Sequence, residues 1–138
     1  MSSDVQTWRS TLRTTATGVT AGSLNTTSNR CGLGYKATAP DLDTLASDGP
    51  YMNVGAGGRP ERDIINLKST WRIPVDLWIG LTRSSDQTMA NPESYVCALA
   101  DAWEALGHVT VTWDVPEINA DKNPLILHYQ FEVSVLSC

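Results

Sequence analysis

The chain has no uninterrupted apolar stretch approaching the roughly 18 residues that a membrane-spanning helix needs. Its opening Met1-Ser2-Ser3-Asp4 lacks the basic segment and apolar core of a secretion signal, so synthesis and use in the cytoplasm are expected. Cysteine is scarce. Cys31, Cys97 and Cys138 are odd in number and widely spaced, which fits neither a disulfide framework nor a Cys-x-x-Cys metal knuckle, and free thiols are expected. His108 and His128 are the only histidines. Neither has a histidine four residues away or a cysteine pair nearby, so no metal site is expected.

Catalytic signatures are missing too. No Gly-x-Ser-x-Gly elbow occurs, and Cys97, set among the apolar positions of a helix, reads as a small core residue. Gly55-Ala56-Gly57-Gly58 is followed by no Lys-Ser or Lys-Thr, so it reads as a turn and not as a phosphate cradle. The carboxylates are scattered, and the tightest pair, Asp41-Leu42-Asp43, falls in a loop. The chain is therefore not expected to be an enzyme or to carry a cofactor. Asn25-Thr26-Thr27 matches the glycosylation acceptor pattern, which reads as accidental in a chain without a secretion signal. Cations are outnumbered: Lys plus Arg at 10 against Asp plus Glu at 15 give a net charge of −5. That balance opposes tight wrapping of duplex nucleic acid and favours solubility.

What is present is an ordinary globular composition, 41% hydrophobic and 18% charged over 138 residues, enough for one core and too little for two. We expect a single domain over 1–138: an N-terminal helix over about 3–15, a loop-rich stretch over 16–62 and a sheet–helix–sheet core over 63–138. Val5, Trp8 and Leu12 recur at helical spacing, with Asp4, Arg9 and Arg13 towards the other side. Brief strands are expected over Gly32–Ala37 and Tyr51–Val54. Trp71, Ile73, Val75, Leu77, Ile79 and Leu81 then alternate strictly, the clearest strand in the chain. Arg72, Pro74, Asp76, Trp78 and Gly80 occupy its opposite face, and Pro74, lacking an N–H, argues for an edge position or a bulge.

Asn91-Pro92-Glu93 forms a helix start, with Asn to cap free amides, Pro at the first helical position and Glu at the positive end of the dipole. The helix should end at Gly107, bury Tyr95, Val96, Leu99, Trp103 and Leu106, and turn Asp101 and Glu104 to solvent. Val109–Trp113 and Leu125–Val135 alternate as two closing strands, plausible as an antiparallel pair, with Asn119–Pro124 as turn. The expected fold is α+β, a mostly antiparallel or mixed sheet of four to five strands packed against one or two helices.

Arg59, Arg62, Lys68, Arg72 and Arg83 cluster around the long strand, whereas the second helix and the residues after it are mostly acidic. Two readings fit: each half complements the other in a neighbouring copy, or both are simply solvated faces. Of five tryptophans, Trp8, Trp71 and Trp103 fall on core faces; Trp78 falls on a polar face, where an exposed indole is a candidate interface anchor. The candidate subunit interface is Arg59, Arg62, Arg72 and Trp78 facing a neighbour, with Asp114, Glu117 and Asp121 as the acidic counterpart.

The succession Val5 to Leu12, Pro50 to Val54, Trp71 to Leu81, Asn91 to Leu106, Val109 to Trp113 and Leu125 to Val135 resembles the layout of the tail terminator, or tail-completion, proteins of long-tailed bacteriophages, most clearly over Ile65–Val135. The resemblance rests on pattern and length; no short diagnostic motif carries it. It implies a structural virion subunit forming a homo-oligomeric ring, commonly a hexamer, on the head-proximal end of the tail tube. That ring stops tube growth and meets the head connector protein, with DNA only as passing cargo and no membrane. The loops Thr14–Asn29 and Ala39–Pro50 depart from the pattern and are read as arms that order on neighbouring subunits or as loops that stay mobile. Two other readings remain: another neck protein of the same virus type, such as a head-completion subunit or connector adaptor, or a small-ligand-binding domain with a pocket between helix and sheet.

Overall fold

The computed structural model describes residues 4–22, 24–34, 45, 49–56, 61–63, 65, 68–81, 91–119 and 125–137. Along the chain run α1 (Asp4–Thr17), β1 (Thr20–Ala21), β2 (Leu24–Asn25), a short 3-10 turn (Ser28–Arg30), β3 (Cys31–Gly32), β4 (Tyr51–Val54), β5 (Glu61–Asp63), β6 (Lys68–Leu81), α2 (Pro92–Glu104), β7 (Val109–Trp113), β8 (Glu117–Asn119) and β9 (Leu125–Ser137). This is the α+β architecture that the periodicities predict, with more strands than expected. The main sheet has seven, in the order β3-β4-β6-β9-β7, with β5 beside β6 and β8 beside β9. It is mixed: β3 pairs parallel to β4, and every other pairing is antiparallel.

β6 and β9 form the spine of the sheet, paired without interruption from Ser69 opposite Ser137 to Leu81 opposite Leu125. Strict alternation explains the layering. Ile73, Val75, Leu77 and Ile79 of β6 share one face with Leu127, Tyr129, Phe131, Val133 and Val135 of β9, and all are buried. Leu12 and Ala16 of α1 and Tyr95, Val96, Leu99 and Trp103 of α2 cover that face. Trp103 sets its ring edge-on to Phe131, with centroids 5.5 Å apart, and its Nε1–H donates to the Leu12 carbonyl at 3.0 Å, joining both helices to the sheet.

The start of α2 is as the sequence predicts: the Asn91 side chain accepts from the Ser94 N–H at 3.1 Å, Pro92 occupies the first turn and Glu93 sits beside the helix's positive end. The regular helix stops at Glu104, and a turn through Gly107 (φ 86°) and His108 (φ 62°) leads into β7. The start of α2 is also bonded from outside. The Asn91 N–H donates to the Gly22 carbonyl at 2.8 Å, so the β1–β2 hairpin docks on α2. Within Thr14–Asn29 the described residues thus order on their own chain: Thr26 is buried, its hydroxyl 2.6 Å from that of Tyr95. The Asn25 side-chain amide donates to the carbonyls of Thr17 and Val19. The loop from Ala39 to Pro50 lies mostly outside the described residues.

Three sequence expectations are corrected. Arg9 does not face solvent: it is 4% exposed. It shares a helical stripe with Leu12 and Ala16, three and seven residues on. Pro74 marks neither a sheet edge nor a bulge in the β6–β9 ladder; β6 is central and its register continuous. The proline is tolerated where β4 ends. There the Gly55 N–H donates to the Pro74 carbonyl at 2.8 Å, and an antiparallel pair of this kind would return a second bond that proline cannot make. Arg9 takes its place, its Nε–H donating to the Gly55 carbonyl at 2.7 Å. Its remaining donors reach the carbonyls of Val54 and Leu33 and the side chain of Gln6. Third, Cys97 is exposed and Cys31 is the buried thiol.

These contacts can be tested by substitution. Arg9→Met removes donors from buried carbonyls and should lower unfolding free energy by roughly 3 kcal/mol. Pro74→Thr restores a strand N–H to Gly55, so the same Arg9 change on that background should cost about 1 kcal/mol less; additive denaturant midpoints across the four proteins would show that the two groups do not share the Gly55 carbonyl. Gly22 holds φ 57°, and a Cβ there would lie 2.3 Å from the Asn91 carbonyl oxygen. Gly22→Ala should cost at least roughly 1–3 kcal/mol in urea unfolding, with loss of the hairpin's protection from amide exchange.

Candidate functional site

The sheet's second face, turned away from the helices, carries the even-numbered side chains of β6 and β9, and it divides into two parts. In one, Trp78, Ile126 and Leu45 form a separate buried cluster with Tyr51 against it. Trp78 is only 6% exposed. It does occupy the polar face of its strand as expected, but as a packed side chain and not as an exposed anchor. The His128 imidazole stacks on it with centroids 4.4 Å apart and planes 10° from parallel. His128 Nε2 lies 2.8 Å from Asp76 Oδ1 and its Nδ1 lies 3.5 Å from Glu117 Oε2, so the ring ties β6 and β8 to β9. Among the described residues no three His, Cys, Asp or Glu groups are arranged to hold a metal ion.

In the other part the face is open. Arg72, Pro74, Gln130, Glu132, Thr112, Ala56 and Trp113 line a shallow depression of about 540 Å³. Arg72 Nη1 and Glu132 Oε1 are 2.9 Å apart across β6 and β9, both about half exposed. A pair so accessible is worth at most about 1 kcal/mol and is screened by salt. A second shallow depression, of about 500 Å³, lies on the Gln6, Thr7, Ser10, Thr11, Thr14 and Thr15 face of α1. The hydroxyls of Thr11 and Thr14 donate back to the carbonyls of Thr7 and Ser10.

The residues singled out from the sequence are thus distributed over several surfaces. Arg59 and Asp121 lie outside the described residues. Arg62 holds a position on β5, opposite Ser69 of β6. Arg72 is on the open face and Trp78 in the covered part, so the two do not form one patch. Asp114 and Glu117 are exposed along the β7–β8 side of the sheet, away from β5, and Asp114 lines the same depression as Arg72, so Asp114 and Arg72 are brought together. What the sequence reading missed lies between those two acids. β7 pairs with β9 up to Trp113 opposite Phe131, and β8 resumes with Glu117 opposite His128. Residues 114–116 therefore face only 129 and 130: one extra residue forms a bulge in a single edge strand. The odd-numbered positions face the helices before it and the second face after it. Val115 and Ile118 are left 87% and 58% exposed. Pro116 beside an acidic residue, where strict alternation breaks, was the available signal.

Burial also sets the chemistry of the side chains. Desolvation pushes the Cys31 thiol up to about 11, against the lowering effect of neighbouring Arg13. Burial likewise raises the Tyr95 hydroxyl, partly offset by its bond to Thr26, and raises Tyr129, with help from the charge of Glu93. A search with protein-family models finds no match to this chain, and comparison with curated proteins finds none either.

Thiol labelling separates the two environments. At pH 8, a Cys138→Ser protein treated with a maleimide should take up one equivalent rapidly, at exposed Cys97. Cys31, buried and un-ionised at that pH, should react only as fast as the protein opens. Rapid uptake of two equivalents by the folded protein, read by mass spectrometry, would contradict that assignment.

Proposed function

We propose that this chain is a structural subunit that assembles with copies of itself into a ring, and that the ring sits at the head-proximal end of a phage tail, where it ends tube growth and meets the head connector. The observation that carries this reading is the order of elements. An N-terminal amphipathic helix, a Pro-led short strand, a long central strand, a capped helix and the closing strands β7 and β9 follow one another in the order that the tail-terminator resemblance implies, with β1–β3, β5 and β8 in addition to it. A two-layer fold with a broad sheet that is unpaired at both sides among the described residues suits a protomer that needs a neighbour on each flank. A ring of such subunits carries a net charge of −5 each, which suits a bore that lets DNA pass without gripping it.

The test is assembly. Purified protein is sized by light scattering, imaged by negative stain, and mixed with purified tail tubes of the matching virus. Rings, alone or at one end of the tubes, are the expected result. A monomer that also ignores tubes refutes the proposal. Rings that bind portal or connector and leave tubes uncapped would transfer the chain to another position in the neck.

A further inference from the structure

The two sides of the main sheet are unlike, and they match. Among the described residues no strand pairs beyond β7 and β8 on one side, or beyond β3 and β5 on the other. The β7–β8 side is acidic and apolar: exposed Asp114 and Glu117 alternate around Val115 and Ile118. The β3 side is basic. Arg30, next to β3, donates from Nη2 to the Gly49 carbonyl at 3.0 Å, and its guanidinium carbon stands 5.5 Å from the centre of the Tyr51 ring. Its Nε is buried and has no hydrogen-bond partner among the described residues, so only the terminal nitrogens can meet a neighbour. Arg13 lies beside it, bonded to the carbonyls of Cys31 and Ser28. On this same side of β6, β5 reads Glu61-Arg62-Asp63, so the basic character belongs to the β3 end, at Arg30 and Arg13.

Register places the two sides at one height. Cys31 is level with Met52, which is level with Leu77 of β6. Glu117 is level with His128, which is level with Trp78 of β6. The bulge and Arg30 therefore sit opposite each other across the width of the sheet. Direction agrees as well. β7 and β8 run antiparallel to β9 and so along β6, whereas β3 runs parallel to β4 and so against β6. Two copies set side by side in the same orientation bring together antiparallel edges of opposite charge.

We propose that the β7–β8 edge of one copy docks head to tail on the β3 edge of a second copy. Val115 and Ile118 are covered by the β3 edge of that copy, and Asp114 and Glu117 face its Arg30 and Arg13. The contact rests on the ring reading for its biological setting and supplies the surface that reading needs. Burying the two aliphatic side chains supplies the attraction. The charges select orientation and disfavour an edge meeting its own kind. Because the two surfaces differ, the contact is heterologous and repeats until the rotation closes.

The experiment uses a Cys97→Ser, Cys138→Ser background carrying Ser28→Cys on the basic side, Val115→Cys on the acidic side, or both, treated with a short bis-maleimide and run on denaturing gels. Each single variant should stay monomeric, and the double variant should give a ladder. In parallel, Val115→Asp, at a surface position, should weaken association at least ten-fold by light scattering while leaving the far-ultraviolet circular dichroism unchanged. Dimers from Val115→Cys alone would show an edge pairing with itself and overturn the proposal. So would a double variant that stays unlinked in a sample shown to be oligomeric, or a Val115→Asp protein that assembles normally; in both cases the ring reading survives. Protein that stays monomeric at every concentration, fails to bind tubes and forms no ladder removes both.

Discussion

One missing hydrogen governs how the helical layer meets the sheet. Pro74 lies on the central strand, opposite Gly55 just beyond the end of β4, and it cannot return the bond that Gly55 offers. The side chain that completes the pair comes from another layer. Arg9 reaches through the interior from α1, bonds the Gly55 carbonyl, and collects the carbonyls of Val54 and Leu33 with its other nitrogens. A guanidinium can serve several acceptors at once because its donors form a rigid planar fork. α1 is thereby held at a fixed height on the sheet, and Leu12 and Ala16, on the same stripe as Arg9, fall onto the core. Trp103 then bonds the Leu12 carbonyl and positions α2 against α1. The two-layer packing results from that chain of contacts.

The parts of the fold that were legible in the sequence are those whose cause is local. β6 shows strict alternation over eleven residues, α2 has Asn91, Pro92 and Glu93 at its start, and β7 and β9 alternate with polar partners. The parts that were misread depend on distant residues. Arg9 looks like a surface residue until the carbonyls it serves, more than twenty residues away in the chain, are in place. Trp78 looks exposed because its cover includes Leu45, far upstream. Cys97 is a different case, since its position was legible: three residues from Ser94 and four from Asp101, it belongs to the exposed stripe of α2, and a preference for burying thiols outweighed the spacing. The acidic stretch after β7 was noticed, but the slip in alternation that turns it into a bulged edge was not, and Arg30 was passed over inside a threonine-rich loop.

The second face of the sheet shows how one surface can serve two needs. Around Trp78 it is packed, and the His128 imidazole stacked on the indole joins three strands through Asp76 and Glu117. Around Arg72 it is open and the ion pair with Glu132 is half hydrated, so that pair contributes little to stability and the region is available for contact. Glu117 belongs to both descriptions. It lies 3.5 Å from His128 and also on the exposed β8 side of the sheet, which makes β8 the place where internal packing and the proposed contact with a second copy would meet.

The bulge at residues 114–116 has a consequence for protein quality control as well as for shape. A straight, uninterrupted edge as long as β7 and β8 together would accept any extended segment, including misfolded copies, and propagate into a fibre. A one-residue slip halfway along prevents a regular strand from pairing with both halves in register. The edge can still receive a surface shaped for it, but it cannot act as a template for indiscriminate stacking.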